Sequence, residues 1–204
     1  METKLRRLII FFVAIALTSN VFAQNLSNSF KNSYAFEKKG EYNNAIEAIK
    51  KNYDEKSYEI NLRLGWLYYM SGLFTESSSY YNKSIMLKAY SIEAKLGLVL
   101  PASALGNWEI VKKQYNDILK IDPNNTTANY RLGNIYYGNK DYQNALKHFE
   151  KVANLYPFDY DATLMLAWTS FKLGKTKEAA VLFNKVLIIQ PDDASANEGL
   201  KSIK

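Results

Sequence analysis

A spacing of 34 residues recurs along the chain and constrains its fold more than any other feature. Three of the four prolines, Pro123, Pro157 and Pro191, lie 34 residues apart. Four further series keep the same step: Gly72, Gly106, Lys140 and Gly174; Phe74, Trp108, Tyr142 and Thr176; Tyr81, Tyr115, Phe149 and Phe183; and Val111, Ala145 and Ala179. Aligned series with one period indicate an internal structural repeat, in which each unit buries its apolar face against its neighbours.

Within one period the apolar residues have helical spacing. Between Tyr142 and Val152 they follow at steps of three, four and three, which places them on one face of a helix. A polar turn at 138–141 precedes this helix. Pro157 and Asp159 follow it, and there proline ends one helix while aspartate caps the next. Each period therefore predicts two helices joined by a turn.

Two motifs connect this pattern to a known family. The first predicted helix carries Leu-Gly followed by Tyr, and the second carries an aromatic residue, Ala and a further aromatic residue. They occur as Leu64-Gly65 with Tyr68, Leu132-Gly133 with Tyr136, Gly40-x-Tyr42-x-x-Ala45, and Tyr142-x-x-Ala145-x-x-x-Phe149. The pattern resembles the tetratricopeptide repeat, a helix–turn–helix unit of 34 residues.

The resemblance covers nearly all of the chain after residue 23. It implies an all-α fold, a right-handed α-solenoid of about five repeats with a short C-terminal capping helix. The tetratricopeptide domain is assigned to 24–204, with repeats at 26–57, 58–91, 92–125, 126–159 and 160–193 and the capping helix at 194–204. We expect Ala196, Leu200 and Ile203 to face the last repeat.

Two repeats depart from the pattern. The first has Asn32-Ser33 where Leu-Gly is expected and lacks the closing proline, as in the degenerate terminal repeats of such arrays. The third has Pro101 inside its first helix, where proline removes a hydrogen bond and clashes with the carbonyl of Gly97. We predict a kink or an early helix end near Pro101, with a change in the curvature of the groove.

The first 23 residues have the composition of a secretory signal peptide. Lys4, Arg6 and Arg7 precede the apolar run 8–17, and Val21-Phe22-Ala23 predicts cleavage before Gln24. The apolar run is shorter than the roughly 20 residues that span a bilayer. An uncleaved anchor extended through Ala23 is the alternative. Both interpretations place the remainder outside the cytoplasm, periplasmic or secreted, and the composition suggests a bacterial source.

In the family, the first helices of successive repeats line a concave groove that holds peptides. The resemblance therefore implies that the aromatic and polar residues at these positions contact a partner, with Trp66 and Trp168 as the principal contacts because both are rotated away from the second helix. We call the following set the predicted groove residues: Tyr34, Trp66, Tyr69, Tyr130, Arg131, Asn134, Tyr137, Trp168 and Phe171. The same stripe is also compatible with packing between neighbouring first helices.

The residue inventory argues against catalysis. The chain has no cysteine and one histidine, His148, which lies next to the apolar stripe of a second helix. No cofactor, metal or nucleic acid is predicted, and removal of the signal would leave no membrane span. The expected function is a non-catalytic protein–protein interaction module or scaffold that binds a peptide or protein. The alternatives are a periplasmic chaperone or ligand-binding protein with an aromatic groove, and the regulatory subunit of an enzyme.

Overall fold

The computed structural model describes residues 24–203, so the predicted signal peptide lies outside the described residues. Every regular element in this range is an α-helix. The helices are α1 (24–37), α2 (Tyr42–Lys50), α3 (Tyr58–Met70), α4 (Phe74–Leu87), α5 (Ile92–Ala104), α6 (Trp108–Ile121), α7 (Thr126–Gly138), α8 (Tyr142–Leu155), α9 (Tyr160–Lys172), α10 (Thr176–Ile189) and α11 (Ala194–Ser202). None of them is long and apolar enough to cross a membrane.

The helices form two compact units. Unit 1 contains α1 to α5 and ends at Asn107, and unit 2 begins at Trp108 and contains α6 to α11. The boundary falls at the turn inside the third predicted repeat. Within each unit, helices that follow one another along the chain pack together, as α3 does with α4 and α7 does with α8.

Each first helix from α3 onward begins at a side-chain cap, and the caps keep the 34-residue step. A serine, asparagine or aspartate side chain accepts a hydrogen bond from the backbone N–H three residues later, which satisfies one of the free donors at the helix start. The caps are Ser57, Ser91, Asn125, Asp159 and Asp193. Capping thus accounts for the positions of Asp159 and Asp193.

The turn inside each repeat requires a left-handed backbone. Gly40, Gly72, Gly106 and Gly174 have φ between 71° and 76° at this position. The fourth repeat has Lys140 there instead, at φ 62°. A side chain in this conformation costs about 1–2 kcal/mol, so Lys140 carries strain that the glycines avoid.

The core consists of aromatic rings on second helices packed against glycines on first helices. Tyr81 is 3% exposed, and its ring lies against both Gly65 of α3 and Gly97 of α5. In unit 2, Phe149 lies against Gly133 and Phe183 against Gly199. The absence of a side chain at these glycines lets the helices approach closely.

The end of the described chain and the third repeat test two predictions. Ala196 is fully buried against the α10 core, and Leu200 and Ile203 pack on the same cluster, as predicted. Of the two outcomes predicted near Pro101, the early helix end does not occur, and the kink with its change in groove curvature stays a prediction. α5 continues to Ala104 and has 13 residues, the length of α3, because Pro101 lies in the last turns and its own carbonyl still accepts from Leu105 N.

Candidate functional site

The predicted groove residues divide between the two units. Tyr34, Trp66 and Tyr69 lie in unit 1, on α1 and α3. The other six lie in unit 2, on α7 and α9: Tyr130, Arg131, Asn134, Tyr137, Trp168 and Phe171. Tyr34 and Arg131 are exposed, whereas the other seven are half-buried.

In unit 1 the buried Arg63 contacts the predicted groove residue Tyr34 and two polar side chains of α1. Arg63 is 7% exposed, and its Nη2 lies 2.6 Å from Oε2 of Glu37 on α1. Its Nε and Nη2 both donate to Ser33 Oγ at 3.1 Å. The guanidinium carbon lies 4.0 Å from the centre of the Tyr34 ring. The departure from Leu-Gly in the first repeat therefore has a structural role, because buried Ser33 binds Arg63.

Trp66 belongs to the same network. Its Nε1 donates to Oε1 of Glu37 at 2.5 Å, so that the carboxylate accepts from both Arg63 and Trp66. The Trp66 and Tyr69 rings lie 6.0 Å apart, and Tyr69 is 5.7 Å from Phe74. Trp66 therefore joins α3 to α1, and substituting it would disturb the packing of the first two repeats as well as any contact with a partner.

Trp168 of unit 2 also makes a hydrogen bond and a ring contact within the protein. Its Nε1 donates to Ser195 Oγ of α11 at 2.8 Å, and its ring meets Phe183 of α10 edge-on at 5.0 Å. The expectation that Trp168 points away from the second helix of its repeat was wrong. The indole is large enough to reach the buried Phe183 ring while its N–H bonds to the capping helix.

The remaining aromatic groove residues of unit 2 also have aromatic neighbours. Tyr130 contacts Phe149 edge-on at 5.8 Å, and Tyr137 contacts Tyr142 at 5.3 Å. Burial raises the pKa of the Tyr137 hydroxyl. Each of these rings packs against an aromatic neighbour and is also partly exposed to solvent. Tyr130 and Tyr137 therefore contribute to the packing of unit 2 and to its surface.

A pocket opens beside two of the predicted groove residues. We call it the α7–α9 pocket; its volume is about 290 Å³. Its lining comprises Thr126, Thr127, Tyr130 and Arg131 of α7, Val152 of α8, and Asp159 and Asp161 at the start of α9. Asn134, another of the predicted groove residues on α7, is not part of this lining. α7 therefore contributes an aromatic residue and an arginine to the pocket, and the start of α9 contributes two aspartates, which we call the acidic wall.

Sequence reasoning missed the acidic wall. Asp159 caps α9, since its Oδ1 accepts from Ala162 N at 2.8 Å. Asp161 does not cap the helix; it is exposed and lies in the first turn. A signal was present, because Asp161 precedes Leu164 by three residues, and Leu164 occupies the repeat position of Tyr130.

No group of three or more histidine, cysteine, aspartate or glutamate side chains among residues 24–203 is placed to hold a metal ion. His148 is half-buried, stacks on Tyr136 at 5.5 Å, and has its Nδ1 3.0 Å from Asn129 Oδ1. Burial, with a contribution from Lys147, lowers the pKa of His148. The imidazole therefore packs and hydrogen-bonds within unit 2.

Comparison with known proteins agrees with the helix–turn–helix architecture. Two family models described as tetratricopeptide repeat match residues 100–159 and 136–202, which together span about half of the chain. Comparison with curated proteins gives no match.

Solved structures show the same fold. The chain is similar to the protein MamA, with 22% identity and a TM-score of 0.71 over 82% of this chain and 93% of that one. A tetratricopeptide-repeat protein from Parabacteroides merdae has 23% identity and a TM-score of 0.74, over 88% and 72% respectively. YrrB, described as a tetratricopeptide-repeat protein with an unusual peptide-binding site, has 17% identity and a TM-score of 0.68, over 85% and 90%.

The predicted all-α class and repeat architecture are thus confirmed by three independent features: the 34-residue step of caps and turns, the glycine–aromatic core, and the family matches. The chain belongs to the tetratricopeptide-repeat proteins.

Proposed function

We propose that this protein is a non-catalytic interaction module or scaffold of an exported complex, and that it binds a peptide or protein segment through the predicted groove residues. The observation that carries the proposal is the α7–α9 pocket. It adjoins Tyr130 and Arg131, two residues at groove positions of the family, and offers both an aromatic surface and charged groups. Aromatic and arginine side chains dominate the binding energy of protein interfaces.

The alternatives receive less support. A chaperone or ligand-binding protein that uses an aromatic groove needs open aromatic area, whereas the Trp66 and Trp168 rings are half-buried and their N–H groups are bonded within the protein. A regulatory subunit of an enzyme would use the same binding surface, so it is a special case of the proposal.

Export is a separate part of the proposal and rests on the sequence of residues 1–23. The expected mature protein begins at Gln24. Intact-mass and N-terminal analysis of the protein purified from its own cells tests this directly. A protein that retains Met1 and stays in the cytoplasmic fraction would contradict export but not peptide binding.

Site-specific photo-cross-linking tests the binding surface. A photoreactive amino acid is introduced at Thr127, which is exposed and lines the pocket. The matched control carries it at Gln143, which is exposed on the second helix of the same repeat. We expect discrete adducts from Thr127, absent from Gln143 and lost when Arg131→Ala is added to the Thr127 variant. Equal labelling at both positions, or none at either, would refute the proposed surface.

This design avoids the two tryptophans. Because Trp66 and Trp168 bond to Glu37 and Ser195, their loss would disturb folding and binding together. Arg131 is exposed, so its removal leaves the packing of α7 intact.

A further inference from the structure

Two arginines occupy the same repeat position and differ in their surroundings. Arg63 is the sixth residue of α3 and Arg131 is the sixth residue of α7. Arg63 is buried and paired with Glu37 at 2.6 Å. Arg131 is exposed, and no acidic side chain among residues 24–203 lies within the 4.0 Å ion-pair distance of its guanidinium. The two repeats therefore show the same arginine position in two states: Arg63 with a carboxylate partner, and Arg131 without one among the described residues.

Unit 1 shows what an arginine at this position binds. The Glu37 carboxylate comes from the preceding first helix and uses its two oxygens for Arg63 and for the Trp66 N–H. Charge-assisted bonds of this kind are stronger than neutral ones. Arg131 lines the α7–α9 pocket, on the side of α7 that faces the next first helix, where a carboxylate from outside the chain can meet a guanidinium of the same kind.

The facing wall has the opposite charge. Asp161 is exposed, and no cationic side chain of the described residues lies within ion-pair distance of it. Asp159 is committed to its cap through one oxygen. A ligand with charge of a single sign is therefore attracted by one wall and repelled by the other, whereas a ligand with both signs is attracted by both.

We propose that the α7–α9 pocket binds an adjacent acidic and basic side chain of a peptide segment, with the carboxylate on Arg131 and the cation on Asp161. Tyr130 also lines this pocket and supplies an aromatic contact. This inference rests on the proposed function, since it names the class of peptide that the same surface recognises.

Capped dipeptides provide defined probes. The purified protein is titrated with acetyl-Glu-Lys-amide, acetyl-Gln-Lys-amide and acetyl-Glu-Gln-amide, and binding is followed by NMR shifts of the Thr127 amide and the Arg131 Nε–H. We expect acetyl-Glu-Lys-amide to bind most tightly. Each neutral replacement should weaken binding about two- to fivefold, as for partly exposed ion pairs. Equal affinity for all three probes, or no binding, would overturn the inference.

Two substitutions assign each charge to its wall. In Arg131→Gln, the preference for Glu over Gln should vanish while the preference for Lys remains. In Asp161→Asn, the preference for Lys should vanish while that for Glu remains. Glu93→Gln, at the repeat position of Asp161 in α5, should change neither. A uniform loss across probes in either pocket variant would contradict the assignment.

The cross-linking result distinguishes failure of the charge-pair inference from failure of the proposed function. If Thr127 captures a discrete partner but the dipeptides are not distinguished, the binding surface stands and the charge-pair inference fails. If Thr127 captures nothing from wild-type protein, the proposed function fails, whatever the dipeptides show. Circular dichroism of each variant checks that the helices are intact.

Discussion

Removing the charge of Glu37 should destabilise unit 1 more than the loss of an exposed ion pair would, because its partner Arg63 is buried. In Glu37→Gln the buried Arg63 guanidinium keeps its bonds to Ser33 but loses its counter-ion. Breaking a fully buried ion pair costs about 3–5 kcal/mol. Because Glu37 retains 22% exposure and Arg63 keeps Ser33 and the Tyr34 ring, we expect a loss of about 2–3 kcal/mol.

A double-mutant cycle isolates this interaction. Arg63→Met removes the buried charge while preserving much of the side-chain volume, so Glu37→Gln should cost little in an Arg63→Met background. We expect a coupling free energy of about 1.5–2.5 kcal/mol between the two positions. Urea unfolding followed by circular dichroism measures it, and hydrogen exchange of the α1 amides locates the loss.

The exposed ion pair Lys88–Glu59 is the matched control. Its Nζ–Oε1 distance is 2.9 Å, close to that of the buried pair, but its side chains are 53% and 62% exposed. Glu59→Gln should therefore change the free energy of unfolding by no more than about 0.5 kcal/mol. Equal effects of the two glutamate substitutions, or a coupling below about 0.5 kcal/mol for Glu37 and Arg63, would refute the reasoning that burial decides the contribution.

Three further predictions follow from single positions. Gly97→Ala should destabilise the protein by about 1–2 kcal/mol in urea unfolding, since its Cβ would lie 2.1 Å from the buried Tyr81 ring and overpacking outweighs the gain in helix propensity. Lys140→Gly should stabilise it by about 0.5–1 kcal/mol, because the left-handed turn no longer carries a side chain. The folded state lowers the pKa of His148, so the unfolded state binds its proton more readily; stability should fall as pH drops below about 6.5 and be flat above about 7.5.

Each of these has a control. Gly138→Ala places its Cβ in open space and should not destabilise the protein. Gly106→Ala should do the opposite of Lys140→Gly, since it adds a side chain at φ 71°. His148→Asn should abolish the pH dependence between 5.5 and 7.5, because the chain has no other histidine; a slope that persists in this variant would assign the titration elsewhere.

Much of the fold could be predicted because its determinants are local and periodic. The caps at Ser57 and Asp159 and the turn glycines act within a few residues of chain, so their spacing alone locates the helices. Pro101 was misjudged because its cost depends on where it falls in the helix; near the C-terminal end only a small part of the helix follows it.

The proposed binding surface was only partly predictable. The sequence analysis identified Tyr130 and Arg131, which line the α7–α9 pocket, but not Asp161. It also assigned Trp66 and Trp168 to partner contact, although Trp66 donates to Glu37 of α1 and Trp168 to Ser195 of the capping helix α11. Helical spacing gives the face of a residue but not the neighbour that a long side chain reaches.

Arg63 and Arg131 show what the sequence by itself determined and what only the tertiary structure decided. The 34-residue period determined that both lie at one position of the repeat, because helix geometry follows from local spacing. Their environments depend on a different helix, and α1 brings Glu37 and Ser33 to Arg63. Burial and charge pairing are set by residues distant in the chain, so only the packed structure makes Arg63 a core residue and leaves Arg131 open to a partner.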